Sequence, residues 1–276
     1  GLLNGPADPS RRTIAIDGKT LRRSFDKFND RKAAQLLHAF DTNAGLLLAH
    51  IDIEEKSNEI PAAQQLLGEL DIVRCTVTLD AMHCQKKTFE AAAQAGVRAV
   101  IQLKDNQPTL LTNVEAVCAT QRSTSKDVTY NAARNRYEVR TVDVFPATHA
   151  VAGTEWKPLV TNIVRVERTV RHQNPRDGLL TTTYETAYYL TNFAVSASAA
   201  GAAIRDHWHV ENTLHYTRDV TFQEDQSRIR HKPGVFARLR SFGYNILCRN
   251  KTDTFAQGRY AAALAGLDVL FKWRVS

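Results

Sequence analysis

Two aspartates stand at the ends of apolar runs: Asp17 closes TIAID and Asp80 closes IVRCTVTLD. A carboxylate at the end of a strand keeps its backbone in the sheet while its side chain projects into the crevice where α/β sheets commonly bind ligands. A strand-ending Asp also serves as a plain turn-former, so either residue alone says little. Carboxylates gathered on neighbouring strands repel one another unless a cation neutralises them. Magnesium suits such a cluster, because it prefers oxygen ligands and leaves positions open for water and phosphate. A third carboxylate, Glu211, lies in RDHWHVENTLHYTRDVTFQED. At helical spacing, positions 204, 207, 208, 211, 215 and 218 share one side, so His207, Trp208, Glu211, His215 and Arg218 are expected to point together. The alternative is a solvated helix face, or histidines packed against a sheet. A zinc site from His207, His209 or His215 with Cys84 is a weaker option, since the spacing matches no standard tetrahedral pattern.

The elements that must hold these residues follow from periodicity. TIAID, AAQLLHAFD and GLLLAHIDI predict three successive strands, the last two joined by the hairpin signal DTNAG. SNEIPAAQQLLGEL predicts a helix with Ser57 as cap and Pro61 in an early turn. IVRCTVTLD is a strand, KKTFEAAAQAG a helix ending at Gly96, VRAVIQLK a strand running into the turn DNQP, and TLLTNVEAVCAT a further helix. Together these predict a mixed α/β sheet over 13–126. From 127 to 192, segments such as RYEVRTVDVF, LVTNIVRVERTV and LLTTTYETAYYLT predict an antiparallel β-rich insertion, with NPRDG as a turn. The chain returns to helix over 193–276, with two last amphipathic helices expected to expose basic faces. The opening segment, 1–12, has two Gly and two Pro and reads as a linker or the cut end of a longer protein.

Composition limits the function classes. At 276 residues and 43% hydrophobic content the chain can bury a core. Lys and Arg total 36 against 29 Asp and Glu, a net +7 that favours a polyanionic partner such as nucleic acid. Four scattered cysteines with no C-x-x-C pair suggest neither a disulfide framework nor a zinc ribbon, and fit a reducing, cytoplasmic setting. No apolar stretch approaches the roughly 20 residues of a membrane span, and the start lacks the pattern of a signal peptide.

IAIDGKTLRRS, LDAMHCQKKT, VIQLKDNQPTLL and RDHWHVENTLHYTRDVTFQEDQSRIR resemble, in order, the successive signatures of the ISAs-type, or H-repeat-associated, DDE transposases of bacterial insertion sequences. The resemblance runs from about residue 13 over nearly the whole chain. It implies an RNase H-like catalytic core with Asp17, Asp80 and Glu211 as the three catalytic and metal-binding acids. It also implies that the β-rich segment is the insertion between the second Asp and the Glu, followed by a helical C-terminus. The wider group's signature Y-x-x-R-x-x-x-E-x-x-x-x-x-x-K falls here on Ile204, His207, Glu211 and Arg218, so the Tyr is lost while His and Arg can still contact phosphate.

The resemblance further implies two Mg²⁺ ions, with Mn²⁺ as a substitute, about 3.5–4 Å apart across a scissile phosphodiester. The same site would cut transposon ends and join them to target DNA. Gly18 is then expected to let the backbone turn close to the metals. Lys19, Lys104 and Arg218 are the first candidates for phosphate contacts, with Arg205, His207 and Asn212 as weaker ones. The basic helices after Arg228 would track the DNA backbone, with binding that weakens steeply as salt rises. Implied partners are double-stranded DNA and a second copy of the chain, as a homodimer or larger assembly on paired ends, in the bacterial cytoplasm at the nucleoid. Three other readings are a nuclease that cuts without joining, an inactive DNA-binding remnant and a metal-independent structural module.

Overall fold

The computed structural model describes residues 12–26, 28, 31–53, 58–70, 72–133, 135–174, 178–250 and 254–266. Packing divides the chain into two compact units, Gly1–Thr76 with Asp206–Ser276, and Val77–Arg205. Each mixes strands and helices, so the chain as a whole is of the mixed α/β class that the sequence predicts.

The first unit is built on an antiparallel meander of β1 (Thr13–Thr20), β2 (Gln35–Asp41) and β3 (Leu46–Ile53), in the order β3-β2-β1. The DTNAG hairpin forms because Asp41 Oδ1 accepts from the backbone N–H of Asn43 and Ala44, at 3.0 and 2.9 Å, and Gly45 takes a positive φ of 68°. β1 does not stop at Asp17. Its pairing continues through Gly18 and Lys19 to Thr20 opposite Gln35, so the carboxylate rises from within a strand. Gly18 does not turn the backbone either. The place its Cβ would take lies 2.5 Å from the carboxylate oxygens of Glu59, so the missing side chain admits the first residue of helix α1 (Glu59–Glu69). That helix is capped by Asn58, whose side chain accepts from Ile60 N; Ser57, the expected cap, lies outside the described residues.

Strand alternation puts Ala15, Asp17 and Lys19 on one face of β1. Their neighbours across the meander are Phe40, His38 and Leu36 on β2, then Leu47, His50 and Asp52 on β3. The apolar end of this face packs Ala15, Phe40 and Leu47 against Val210, Leu214 and Tyr244. The next row along is Asp17–His38–His50, so the face passes from oil to ionisable groups within one residue pair.

Helix α5 (Tyr216–Val220), helix α6 (Pro233–Arg249) and helix α7 (Phe255–Ala265) complete this unit. α6 departs from the expected basic outer face. Its inward stripe is Gly234, Ala237, Ser241, Tyr244 and Leu247, while Val235, Phe236, Leu239 and Phe242 are exposed beside Arg238. The small residues let α6 lie close to β3: the place a Gly234 Cβ would take is filled by the Asp52 carboxylate. Residues 267–276, read from sequence as the end of the last helix, and residues 1–11 lie outside the described residues. Arg12 pairs through its guanidinium with buried Asp41.

In the second unit the strand order is β4-β5-β9-β8-β7-β6, with β4 Thr76–Leu79 and β5 Arg98–Leu103. Helix α2 (Lys86–Gln94) connects these two strands, and helix α3 (Pro108–Thr120) follows β5. β6 (Ser125–Ala133), β7 (Arg136–Pro146), β8 (Asn162–Gln173) and β9 (Leu180–Thr191) form an antiparallel ladder that joins β5 through β9. Helix α4 (Ala197–His209) begins on this ladder. Its small residues permit close approach: Val142 Cγ2 lies 3.1 Å from where a Gly201 Cβ would be, and Ala197, Ala200 and Ile204 pack on Val142, Val144, Val164 and Val166. Among the described residues no helix is long and apolar enough to cross a membrane.

Candidate active site

Glu211 does not sit on the regular helix that 3/4 spacing predicts. α4 gives way at Val210 to six residues of π-helix, Val210–His215, before α5 resumes. A π-helix bonds i to i+5, so each residue advances the face by less than in an α-helix, and such segments recur at functional positions. The expected shared side is therefore split. Val210 and Leu214 are fully buried on the meander, Glu211 and Asn212 are exposed, and Trp208 is 52% exposed. His215 and Arg218 instead turn inward, and Ile204, at the Tyr position of the signature, belongs to the core of the second unit.

Inside the first unit these inward groups meet the polar row of the meander. Arg218 is 0% exposed. Its Nε and Nη2 donate to the two carboxylate oxygens of equally buried Glu224, at 2.9 and 2.7 Å. Nη1 bonds His38 Nε2 at 2.9 Å and Ser241 Oγ at 3.1 Å, and Nη2 also reaches the Ala237 carbonyl at 3.1 Å. All three guanidinium nitrogens thus end inside the protein. Lys19 is 8% exposed and donates to Asp219 Oδ1 at 2.6 Å, with Asp225 at 3.8 Å. Neither cation is placed to meet a phosphate, contrary to the sequence expectation. A strand whose alternate residues face a covering helix sends Lys19 into that helix, and the π-turn rotates Arg218 in after it.

His38 Nδ1 lies 3.0 Å from His215 Nε2, and His215 Nδ1 lies 3.7 Å from Asp17 Oδ2. Burial, then Arg218, His215, His50 and Lys19, press His38 well below its ordinary value of 6.5. Burial, then Lys19, Arg218 and His207, lower His215 to about 3. Both rings are neutral at physiological pH, so the contact with Asp17 is polar and not an ion pair. A stability prediction follows for His38. Above its ordinary 6.5 both folded and unfolded chains hold it neutral, and stability is fully present. As pH falls below that, only the unfolded chain takes up the proton, so stability is lost by at most about 1.4 kcal/mol per pH unit for this one ring. Melting temperature should fall between about pH 7.5 and 5, and fall less steeply in His38→Asn.

Asp80 follows β4 directly, as predicted, in the second unit. It precedes a 3-10 turn, Ala81–His83, without capping it. Its side chain is 44% exposed, yet Oδ1 is buried and accepts no hydrogen bond among the described residues. His83 Nε2, at 3.8 Å, is beyond hydrogen-bond reach, and burial lowers that ring's pKa. The DNQP turn clamps this segment: Asn106 Nδ2 donates to the Ala81 carbonyl at 2.7 Å and Gln107 Nε2 to that of Cys84 at 3.0 Å. Lys104, just past β5, is exposed. Arg205 is exposed and bonded to Thr129 Oγ1 at 3.0 Å, His207 is half-buried, and Asn212 is exposed.

A cation fits the donor chemistry of Asp80, whose buried oxygen lacks a donor. Among the described residues no group of three or more His, Cys, Asp and Glu side chains is placed to hold a metal ion. Cys84, weighed as a zinc ligand, has its thiol pushed up to about 12 by burial.

His38, His50, Glu224, Asp219 and Ser241 were not singled out from the sequence. The one available signal was the alternation that puts His38 on the same face of the meander as Asp17.

The family model for the transposase DDE domain matches residues 8–245. The chain is 34% identical over 247 residues, 86% of its length, to "Putative protein YbfL" of Escherichia coli K12, and equally to the "H repeat-associated putative transposase YhhI" of that strain. It is 31% identical over 244 residues to "Putative transposase YncI" of Escherichia coli O157:H7. The chain spans 64% of the length of the first two of these relatives and 61% of the third. A match over residues 8–245 contains Asp17, Asp80 and Glu211 together with the elements that carry them, and the chain belongs to the DDE transposase family, among relatives of the H-repeat-associated type.

Proposed function

We propose that this chain is the catalytic portion of a transposase that cuts DNA at transposon ends and joins the 3′ ends to target DNA. The family match across residues 8–245 carries the reading. Asp17, Asp80 and Glu211 are its three acids, and the orphaned Oδ1 of Asp80 supports a cation there. The core is RNase H-like, with 127–192 as its insertion. Magnesium suits these oxygen ligands, with Mn²⁺ substituting. Bound divalent ions supply activation of a water or a DNA 3′-hydroxyl and stabilisation of the leaving oxygen.

The protein's own share of the work is positional. Asp17 is held on a paired strand, where its backbone cannot shift without breaking the ladder to β2. Asp80 is held by the Asn106 and Gln107 clamps on the turn that follows it. Glu211 is presented to solvent by a π-turn anchored at Val210 and Leu214. Lys104, Arg205, His207 and Asn212 are the phosphate contacts of this reading. Lys19 and Arg218 are reassigned as internal supports of the acidic site. Double-stranded DNA is the substrate, and two copies of the protein act on paired ends.

The reading is tested by incubating the chain with plasmid DNA bearing the element's ends in Mg²⁺, Mn²⁺ or chelator. Cut 3′ ends and joined products in either metal, and neither with chelator, are expected. Cut ends without any joined product would favour a nuclease, and no metal-dependent product an inactive remnant.

A further inference from the structure

We infer that Arg218, His38 and His215 form a hydrogen-bond chain of fixed polarity that aims an imidazole N–H at the Asp17 carboxylate, making both histidines positioning residues for that acid. The inference rests on the proposed role of Asp17 as a metal ligand.

The polarity follows from one residue that cannot accept. A guanidinium only donates, so at 2.9 Å from Arg218 Nη1 the Nε2 of His38 must be the acceptor. A neutral imidazole has one proton, which then sits on His38 Nδ1 and is donated over 3.0 Å to His215 Nε2. His215 in turn keeps its proton on Nδ1, the nitrogen 3.7 Å from Asp17 Oδ2. A second proton at His215 Nε2 would set two N–H groups against each other across 3.0 Å, so the chain excludes the doubly protonated ring by geometry. Its first link is rigid, because Glu224 grips Arg218 through both carboxylate oxygens in a fully buried pair.

The gap of 3.7 Å is longer than a hydrogen bond. Catalytic contacts are often long before the reacting complex forms, and Nδ1 is the ring nitrogen that the bond to His38 leaves available for this one. A donor of fixed tautomer behind a metal-binding carboxylate orients it, and loss of such partners typically costs about 10–100-fold in metal affinity or activity. The strand register explains why His38 serves as the middle link: it is the direct cross-strand partner of Asp17, so both share a face beneath His215.

Two measurements on the whole chain decide the matter. Long-range ¹H–¹⁵N spectra of the wild-type chain with labelled histidine should show His38 and His215 both as Nδ1–H tautomers; an Nε2–H form of either ring overturns the chain, and this needs no variant to fold. Titration with Mn²⁺ alone then compares Asp17→Asn, His215→Gln and His215→Asn. Asparagine keeps an N–H where Nδ1 stood, whereas glutamine carries it to the place of Nε2. Affinity should fall about 10–100-fold in His215→Gln and stay within about threefold of wild type in His215→Asn. If Asp17→Asn loses Mn²⁺ while His215→Gln binds as wild type, the metal role stands and the positioning role is overturned. If Asp17→Asn binds as wild type, the metal role of Asp17 falls, and this inference with it.

Discussion

Replacing Arg218 by methionine should destabilise the first unit by about 3–5 kcal/mol, because Glu224 is left as a buried carboxylate without its partner. For a domain of this size that is a fall of about 10 °C in melting temperature. The sign of the pH dependence identifies the cause. In the variant, Glu224 keeps only the Arg240 guanidinium, 4.0 Å away, and burial raises its folded pKa above its unfolded value of roughly 4.3. The variant therefore holds its stability below that pH, where both states are protonated, and loses it as pH rises through the folded pKa. The deficit against wild type should grow between about pH 4 and 7. The double variant Arg218→Met/Glu224→Leu removes both charges and should recover most of the loss, since a buried pair contributes little net stability over apolar residues of similar volume. If Arg218 served DNA phosphates from an exposed position, the single variant would leave the melting temperature within about 0.5 kcal/mol of wild type and weaken only binding.

The contrast shows which parts of the molecule were legible in the chain. Short apolar runs in TIAID, AAQLLHAFD and GLLLAHIDI, set off by polar and turn residues, predict the three strands, and the run in β2 is buried on both faces from Leu36 to Asp41. The strand β1 was read as ending at Asp17 because the apolar run ends there, but strands are closed by their partners' hydrogen bonds, and β2 continues to pair as far as Thr20. Order along the chain and family signatures brought out Asp17, Asp80 and Glu211 without any geometry. The surroundings of Asp17 were not legible. Arg218, Asp219 and Glu224 look in sequence like a solvated helix face, and only a fold that sets α5 over β1 and β2 turns them inward to Lys19 and His38. The π-turn has no compositional mark, yet it decides that His215 faces Asp17 while Glu211 faces solvent. α6 misled for a related reason: its arginines suggested a basic outer face, whereas small inward residues allowed close packing and left large apolar side chains outside.

Asp17→Asn, Asp80→Asn and Glu211→Gln should each abolish metal-dependent DNA cleavage, by about 10³-fold or more, if the three acids act as one metal-binding set. The size follows from the chemistry: a divalent ion stabilises transition-state charge by several kcal/mol, and each 1.36 kcal/mol is about a factor of ten. Three features separate this outcome from simple unfolding. Asp80 carries a buried oxygen that accepts no hydrogen bond among the described residues, so neutralising it breaks no observed bond, and Asp80→Asn should melt close to wild type. Glu211 is exposed, so Glu211→Gln should likewise leave stability within about 0.5 kcal/mol. The losses should also be non-additive, because residues acting as a unit fail together: the Asp80→Asn/Glu211→Gln double variant should be scarcely slower than either single one. Single-turnover cleavage of end-bearing DNA, run beside melting curves and DNA-binding titrations, reads all three. Retention of metal-dependent cleavage in Asp80→Asn would place the activity elsewhere in the preparation, whereas loss of cleavage with DNA binding intact is the signature of a site that does chemistry and not of a surface that merely holds DNA.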